Sequence, residues 1–497
     1  MDYPATAPWT ATATVKYQYC KVSPDFYSTG SGSYRFNLIN MRDDVVFWLL
    51  FGGIDKPRAI AKTSSISFND TEVPKQIVTA LTGDPTEMRV TWNSASGTGA
   101  KLRYGINGQS KVHTIDANTT TYTRDDLCGA PATTQGWRDP GYFHTAIIKG
   151  LKPGKSVVWY QCFSNNTWST VHTFTAAKPA DAKASLHIVA TADVGAAQRD
   201  GCHYHWETPD ANLTYMHMGE HGAADLALHI GDISYATGYA SKWDVFMTQA
   251  SPLAAATPLM TALGNHEQDF PGKVYYNSVD SGGECGIPTV TRFPMPTPTG
   301  DQQKGWYSFD MGPVHFLMMD TELECGPGSE QYKFFQKDLS SVDRNVTPWI
   351  VFGGHRPMYY VLEDGSHIDP HFQVLEPLLV KHQVDLILVG HVHNALRTCP
   401  VNNGTCQQPS KQGGYDAPIH VCIGNGGMGL TKIPETRAAW TEYQAYEWGY
   451  STIDVNATHL HMQLFADESN ELHHEFTIER SFPRDMSATG VPRRAAV

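Results

Sequence analysis

The sequence has no long uninterrupted apolar run and no block of basic residues. Charges or glycines interrupt its apolar stretches within a few residues, which argues against a membrane-spanning helix. The formal net charge is −13 and no Lys/Arg-rich run stands out, which argues against nucleic acid as a tightly held partner. A small phosphorylated substrate remains compatible, because a local cationic centre can outweigh a global negative field.

The sequence also lacks C-x-x-C pairs and a visible signal peptide. Its nine cysteines are scattered, which argues against a zinc ribbon or a thioredoxin-like site, although Cys399 and Cys406 flank a turn and could close a small-loop disulfide. Seven N-glycosylation sequons favour the secretory pathway, so we expect a leader that this sequence does not contain. The sequons lie at Asn69, Asn118, Asn165, Asn212, Asn345, Asn403 and Asn456.

The length and composition of the chain predict two or three domains. With 497 residues, the chain is too long for one ordinary hydrophobic core, and 41% of its residues are apolar. We divide the chain into a β-rich N-terminal extension (1–75), an all-β domain (76–177), a larger domain (186–425) and a C-terminal segment that completes it (426–485). In the extension, the aromatic run VVFWLLF (45–51) is interpreted as core rather than as a binding surface.

The two large domains differ in their hydrophobic sequence patterns. Short strand-like runs with Gly and Pro between them fill 76–177 and predict a small β-sandwich; residues 147–160 resemble the late hairpin of fibronectin type III domains. After a small polar linker (178–185), continuous apolar runs alternate with helix-compatible stretches. This second pattern predicts an α/β layered domain with its sheet buried on both faces.

Five short motifs end apolar runs of the predicted α/β domain: ADVG (192–195), GDISY (231–235), GNHE (264–267), GGHRP (353–357) and GHVH (390–393). Ligands in open α/β sheets collect at the carboxyl ends of strands, where all five motifs lie. Together they offer the ligand inventory of a two-metal hydrolytic site. The candidate ligands are Asp193, Asp232, Tyr235, Asn265, His355, His391 and His393.

The residue types restrict the metals. Oxygen ligands with imidazoles suit iron, manganese or zinc, and the tyrosine indicates ferric iron, because a phenolate is a strong donor to Fe(III). Asp193, Asp232 and Tyr235 would bring −3 against +5 for one trivalent and one divalent ion. A hydroxide nucleophile then leaves about +1, a charge that favours phosphate.

In order and spacing, the five motifs resemble the metallophosphoesterase superfamily, and Tyr235 after Asp232 resembles purple acid phosphatases within it. Segments 37–53, 238–246 and 280–288 are similar to the large plant-type members, some of which are nucleotide pyrophosphatase/phosphodiesterase-like. The resemblance implies a metallophosphoesterase layered β-sheet sandwich flanked by helices, preceded by a fibronectin type III-like sandwich and the β extension.

The resemblance also implies roles for single residues. Asp193, Tyr235 and His393 would bind Fe(III), Asp232 would bridge the metals, and the remaining ligands would hold a divalent Zn, Mn or Fe. His266 would lie beside the substrate phosphate, as a hydrogen-bond donor or as the acid for the leaving group. The family's substrate-facing histidine in the loop after His355 has no clear counterpart, and His367 is the nearest candidate.

The implied function is hydrolysis of phosphate monoesters by an acid phosphatase with a metal-bound hydroxide nucleophile. A phosphodiesterase or nucleotide pyrophosphatase using the same centre is the alternative within the enzyme class. A non-catalytic secreted glycoprotein is the alternative outside it, and a homodimer is left open.

Two other patterns are interpreted as ordinary structure. His203 and His205 resemble a metal pair, but the proposed site is already full. Gly424, Gly426 and Gly429 fit G-x-G-x-x-G, yet the following residues open a helix poorly, so we predict a strand-to-loop exit.

Overall fold

The computed structural model describes residues 14–53, 57–198, 200–202, 208, 211–408 and 414–483. His203 and His205 lie outside these residues. In chain order the structure contains a sparsely structured N-terminal segment, a two-sheet β-sandwich and a larger two-sheet α/β unit. Across the described ranges, no helix combines the length and the apolar character needed to cross a membrane.

The N-terminal segment holds one antiparallel hairpin. The prediction that run 45–51 belongs to a core is wrong, since Leu49 and Phe51 are 48% and 61% exposed. Half-buried and exposed residues alternate along the first strand, and all residues of the second are exposed, so the hairpin has at most one covered face. Its elements are a 3₁₀ turn (Cys20–Val22), α1 (Phe26–Thr29), β1 (Trp48–Phe51) and β2 (Arg58–Lys62).

The β-sandwich has two antiparallel sheets, ordered β3-β4-β8-β7 and β10-β9-β5-β6, with β11 also paired to β9. Alternating residues point inward from both sheets and form its core, among them Val90, Trp92, Ile148 and Tyr160. The strands are β3 (Lys75–Ala80), β4 (Met88–Ser94), β5 (Lys101–Ile106), β6 (His113–Asp116), β7 (Asn118–Thr120), β8 (Tyr142–Ile148), β9 (Val157–Ser164), β10 (Thr167–Trp168) and β11 (His172–Thr175), with a 3₁₀ turn at Arg124–Asp126.

The α/β unit also has two sheets, ordered β14-β13-β12-β26-β27-β28 and β15-β16-β17-β20-β24-β21-β25. Its elements are β12 (Leu186–Thr191), α2 (Ala211–Glu220), β13 (Leu226–Ile230), α3 (Ser241–Ala254), β14 (Leu259–Ala262), α4 (Asn265–Gln268), α5 (Ile287–Arg292), β15 (Tyr307–Met311), β16 (Val314–Met318), α6 (Glu330–Leu339), β17 (Trp349–Gly353), β18 (Tyr359–Leu362), β19 (Gly365–Ile368), α7 (Pro370–Gln373), α8 (Glu376–Lys381), β20 (Leu386–Val389), β21 (Ala395–Thr398), β22 (Val401–Asn402), β23 (Thr405–Cys406), β24 (Ile419–Ile423), β25 (Thr441–Ala445), β26 (Gly449–Val455), β27 (His459–Ala466) and β28 (Leu472–Glu479).

The two sheets of this unit pack face to face, as the layered fold class predicts. Ile188 of the first sheet and Phe316 of the second belong to one core, which continues into the sandwich. The neighbouring residue Leu317 points to the opposite face of its sheet and packs in a second core with Phe335 and Leu379 from flanking helices. Residues of both faces are therefore buried, which explains the continuous apolar runs of the sequence.

The sandwich and the α/β unit are joined around α3 and by a covalent bond. Tyr160 donates a hydrogen bond of 2.6 Å to the carbonyl of Ala255, at the end of α3. A disulfide joins Cys128, in the loop before β8, to Cys285, in the loop before α5. The disulfide suggested by the small Cys399–Cys406 loop is also present.

Candidate metal centre

The five motifs directly follow strands β12, β13 and β14 of one sheet and β17 and β20 of the other. Within each sheet these strands are parallel, so their carboxyl ends share an edge. The facing sheets bring the two edges together, and all seven predicted ligands belong to one cluster of contacts, described below.

Four of these residues occupy the left-handed region of the backbone, with φ of 57° at Asp193, 50° at Asp232, 48° at Tyr235 and 67° at His391. This conformation costs roughly 1–2 kcal/mol for a residue with a Cβ atom, and it concentrates at functional sites. A glycine permits the close approach: a Cβ on Gly390 would lie 2.4 Å from Asp193 Oδ2. These four residues therefore adopt a strained backbone conformation that directs their side-chain donor atoms towards the site.

A first group of donors consists of Asp193, Tyr235 and His393. The Tyr235 hydroxyl lies 2.9 Å from both Asp193 Oδ1 and His393 Nε2, and these two atoms are 3.4 Å apart. The Gly429 carbonyl, 2.7 Å from His393 Nδ1, fixes the ring so that Nε2 points to the other two donors. The group is buried except for the His393 side chain, which is 18% exposed.

A second group consists of Asp232, Asn265, His355 and His391. His355 Nε2 lies 3.1 Å from both Asp232 Oδ2 and Asn265 Oδ1, and His391 Nδ1 lies 2.9 Å from the same Asn265 oxygen. Asp232, His355 and His391 can hold a metal ion with one atom each, since these atoms lie within 4.8 Å of one another. The groups adjoin, because Asp193 Oδ1 is 3.9 Å from His355 Nε2.

The buried carboxylates create a demand for positive charge. Burial alone would lower the pKa of His355, but the carboxylates of Asp232 and Asp193 raise it to about 10. Burial alone would raise the pKa of Asp232, but His355 and His266 lower it well below its usual range. A protonated imidazole therefore supplies the cation that these aspartates require.

The other ring groups respond to burial and to their neighbours. Burial, followed by the charges of Asp193 and Asp232, raises the pKa of Tyr235 well above its usual range. Burial and the cationic Arg356 lower the pKa of His391, whereas the Asp193 carboxylate raises the pKa of His393 against the effect of burial. A neutral His391 is the form that can offer a lone pair to a metal.

The residues fit a pair of metal ions. Separations of 2.9–3.4 Å between donor atoms match the edge of about 3.3 Å expected when tetrahedral ligands bind at about 2.0 Å. The donor set contains oxygen and imidazole and no thiolate, which suits iron, zinc or manganese. Metal cations would also take over the role of the His355 proton between the two carboxylates.

Two acidic residues that the sequence analysis did not single out support the ligands. Glu267 accepts hydrogen bonds from the backbone N–H groups of Asp232, Ile233 and Gly264, at 2.8–3.0 Å. Asp280 accepts from Asn265 Nδ2 at 3.0 Å, which turns the Asn265 oxygen towards the histidines. Glu267 completes the GNHE motif and Asp280 opens segment 280–288, so each position was a usable signal.

Arg356 is a third residue that the sequence analysis missed. Its Nη1 lies 3.1 Å from His391 Nε2. Its Nε and Nη2 donate to Glu322 and Asp269 at 3.0 Å, and its guanidinium carbon lies 3.9 Å from the centroid of the Tyr276 ring. The only sequence signal was its place directly after His355.

The two histidines predicted to act on substrate lie in different surroundings. His266 is next to the metal centre: its Nδ1 is 3.1 Å from the Asp280 carbonyl and its Nε2 is 3.9 Å from Asp232 Oδ2. His367 lies in the β18–β19 hairpin, where it contacts Asp364 at 2.9 Å and stacks on Tyr360. Among the described residues, no ion pair or hydrogen bond joins His367 to the seven ligands.

The glycine-rich segment after β24 leads into a loop. No helix is found between β24 and β25, a stretch that is fully described, as expected for a strand-to-loop exit. A Cβ on Gly426 would lie 2.4 Å from the Ala192 carbonyl, and one on Gly424 would lie 2.9 Å from Asp193 Oδ2. These glycines therefore serve close packing against the metal centre.

Family models match successive parts of the chain. An Fn3-like domain from purple acid phosphatase matches residues 2–70, and the purple acid phosphatase N-terminal domain matches 74–176. A calcineurin-like phosphoesterase model matches 186–395, and the C-terminal domain of iron/zinc purple acid phosphatase-like proteins matches 417–475. Together they cover both the sandwich and the unit that contains the metal centre.

Individual proteins match over most of the chain. A "Probable inactive purple acid phosphatase 27" from Arabidopsis thaliana is 35% identical over 97% of this chain and 82% of its own length. A nucleotide pyrophosphatase/phosphodiesterase from Hordeum vulgare is 32% identical over 64% of this chain and 89% of its own length. A purple acid phosphatase from seeds of yellow lupin (Lupinus luteus) superposes with a TM-score of 0.92 at 33% identity, covering all of this chain and 90% of that one. On these matches, this chain belongs to the purple acid phosphatase family.

Proposed function

We propose that this chain hydrolyses phosphate monoesters with a binuclear centre of Fe(III) and a divalent Zn, Mn or Fe. The observation that carries the proposal is the complete donor set, with Asp193, Tyr235 and His393 in one group and four further ligands in the adjoining one. Relatives from Arabidopsis thaliana carry the description "probable inactive". In this chain all seven ligand-type residues lie together, which supports the proposal.

The metal pair, when bound, would supply an activated water and would neutralise charge on the phosphate. Side chains of the protein would orient the ligands and supply the proton for the leaving group. The Asp280 carbonyl accepts from His266 Nδ1–H, so Nε2 would be the ring nitrogen that faces the site; in the imidazolium form, Nε2–H would give its proton to the leaving oxygen, and the neutral ring would keep the proton on Nδ1. Asp280 also fixes Asn265, so one residue orients both a metal ligand and the proton donor.

The first test is Asp232→Ala, assayed for metal content and turnover on the same purified sample. Asp232 is buried and lies beside His355, so its loss should reduce bound metal below that of the wild type and abolish turnover. Wild-type activity in this variant would refute the proposal. Fewer than one metal per chain in the native protein would instead favour the non-catalytic glycoprotein.

The ferric assignment has a separate test with a matched control. Tyr235→Phe should remove the visible tyrosinate-to-iron absorption, because the phenol oxygen would be the donor. Tyr307→Phe removes a hydroxyl from an equally buried tyrosine that donates to the Thr261 carbonyl, so its colour should remain. Equal colour in both variants would contradict the assignment of Tyr235.

A phosphodiesterase or nucleotide pyrophosphatase is the second candidate, and the barley relative favours it. The same donors would serve both reactions, so the two functions differ in whether the site accommodates a second ester substituent on the phosphorus. A panel of mono- and diesters, assayed from acidic to neutral pH with metal analysis on the same sample, distinguishes them. Faster turnover of monoesters would support the first candidate, and faster turnover of nucleotide diesters the second.

We also propose passage through the secretory pathway. Six of the seven sequon asparagines are exposed in the structure and Asn212 is half-buried, so most are accessible to glycosylation. Two disulfides suit an oxidising compartment. Digestion with a glycosidase, followed by intact-mass analysis of protein expressed in a eukaryotic host, tests the proposal; an unchanged mass would contradict it.

A further inference from the structure

The guanidinium of Arg356 has three contacts that fix it in place, and its remaining nitrogen, Nη1, faces the candidate metal centre. Glu322 accepts from Nε, Asp269 accepts from Nη2, and the Tyr276 ring covers one face of the guanidinium. The side chain is 13% exposed, so solvent still reaches it. Only Nη1 is directed at a proposed metal ligand, His391.

The hydrogen bond between Arg356 and His391 depends on which ring nitrogen carries the proton. An arginine only donates, so His391 Nε2 must be the acceptor and Nδ1 must carry the proton, which it directs at Asn265 Oδ1, 2.9 Å away. When Nδ1 is a metal ligand, the ring proton belongs on Nε2. Two donors then face each other across 3.1 Å, and Nη1 requires a new acceptor.

From this we propose that Arg356 binds substrate: in the metal-loaded protein its Nη1–H donates to an anionic oxygen of the phosphate ester. The inference rests on the proposed function and adds a residue to it. The loop after His355 has no clear counterpart of the family's substrate-facing histidine, and His367 in that loop contacts Asp364 and Tyr360 instead. Arg356 takes the place expected for a substrate-facing side chain one residue after a metal ligand.

The contacts of the guanidinium leave one of its nitrogens available to an anion. Glu322 and Asp269 accept from Nε and Nη2, so Nη1 is the nitrogen that a phosphate oxygen can reach. A rigid donor also loses little conformational freedom on binding, which favours affinity.

The test uses inorganic phosphate as the probe and the metal-loaded protein as the receptor. Arg356→Gln should raise the Kd for phosphate about 10- to 100-fold, because it removes one charge-assisted hydrogen bond. Metal content should remain that of the wild type. Fluoride provides an internal control: a monatomic anion can bind the metals without reaching Arg356, so its Kd should not change.

Arg397→Gln is the matched control, because the Arg397 side chain is 15% exposed and is similarly paired with a carboxylate. Its Nη2 lies 3.7 Å from Glu442 Oε2, and neither residue is one of the seven proposed ligands. Its Kd for phosphate should equal that of the wild type. If Arg356→Gln folds poorly, Tyr276→Leu retains the charge but removes the ring beneath it, and should raise the Kd several-fold.

Three outcomes would overturn the inference: an unchanged Kd for phosphate, equal losses of phosphate and fluoride binding, or loss of metal that accounts for the change. Failure of the proposed function would look different, because the wild-type protein itself would then hold no metal and turn over no ester.

Discussion

The sandwich and the metal centre bury polar groups in opposite ways. In the sandwich, His144 is fully buried among the hydroxyls of Ser94, Ser164 and Thr119, and burial lowers its pKa to about 4, so it stays neutral. In the candidate metal centre, burial alone would lower the pKa of His355, but buried carboxylates raise it to about 10, so without metal the ring is charged. One region avoids buried charge and the other collects it.

The two regions also differ in which residue types adopt strained backbone conformations. In the sandwich, Asn107, Asn165 and Asn166 account for most residues other than glycine with positive φ, and asparagine tolerates this conformation. In the candidate metal centre, aspartate, tyrosine and histidine residues adopt it. Strain and buried charge both destabilise the folded chain, so their coincidence at one edge of two sheets indicates a function that compensates for them.

The largest expected effect removes a core side chain from the sandwich. Trp92→Ala should lower the free energy of unfolding by about 3–5 kcal/mol, because Trp92 is completely buried between the two sheets. Metal content of the folded fraction should not change. Urea unfolding with metal analysis measures both, and Val157→Ala, at a residue 51% exposed, is the control. A loss of metal at constant fold would show that the sandwich shapes the centre.

A smaller effect on stability, with a large effect on function, is expected at the strand ends. Gly390→Ala places a Cβ 2.4 Å from Asp193 Oδ2, so it should reduce turnover about 100-fold, equivalent to about 2.7 kcal/mol. Its unfolding midpoint should shift less than that of Trp92→Ala. Gly219→Ala is the matched control, since nothing lies within 4 Å of its added Cβ. Similar turnover in both variants would contradict a tightly built centre.

The smallest effect concerns pH, where two buried histidines should act in opposite directions. His144, with its lowered pKa, contributes stability above pH 6.5 that is lost as the pH falls through about 4. Burial alone would lower the pKa of His315, but Asp310 and Asp338 raise it to about 9, so its contribution is complete below pH 6.5 and is lost as the pH rises through 9.

Each contribution should be of the order of 2 kcal/mol or less. Unfolding free energies across this range, for wild type, His144→Gln and Asp338→Asn, measure them. The first variant should flatten the acid side of the profile and the second the alkaline side. If His144→Gln changed the alkaline side instead, the assignment of the acid side of the profile to His144 would be wrong.

The strands and their terminal motifs could be predicted from the sequence because both signals are local. A continuous run of apolar residues such as 386–389 predicts a buried strand, and a following histidine or aspartate lies at its carboxyl end wherever the strand packs. The family resemblance, which is confirmed, was carried by these local motifs. The assignment of individual ligands remains a prediction.

Features that depend on distant contacts could not be predicted. Arg356 obtains its partners from residues 35 and 87 positions away in sequence, and no local pattern indicates either. The exposure of Phe51 was also mispredicted, because hydrophobicity records what a side chain prefers and not whether a second layer covers it. Asp280 lies in a loop whose path is set by the packing of other elements.

The contact between the N-terminal segment and α3 has an evolutionary consequence. Arg42 pairs with Asp244 at 2.7 Å, and both side chains are almost fully buried. A lineage that lost the N-terminal segment would leave the Asp244 carboxylate buried without its arginine, at a cost of several kcal/mol. The same holds for a lineage that exchanged the segment for an unrelated module. We therefore expect positions 42 and 244 to change only as a pair in relatives that keep the N-terminal segment.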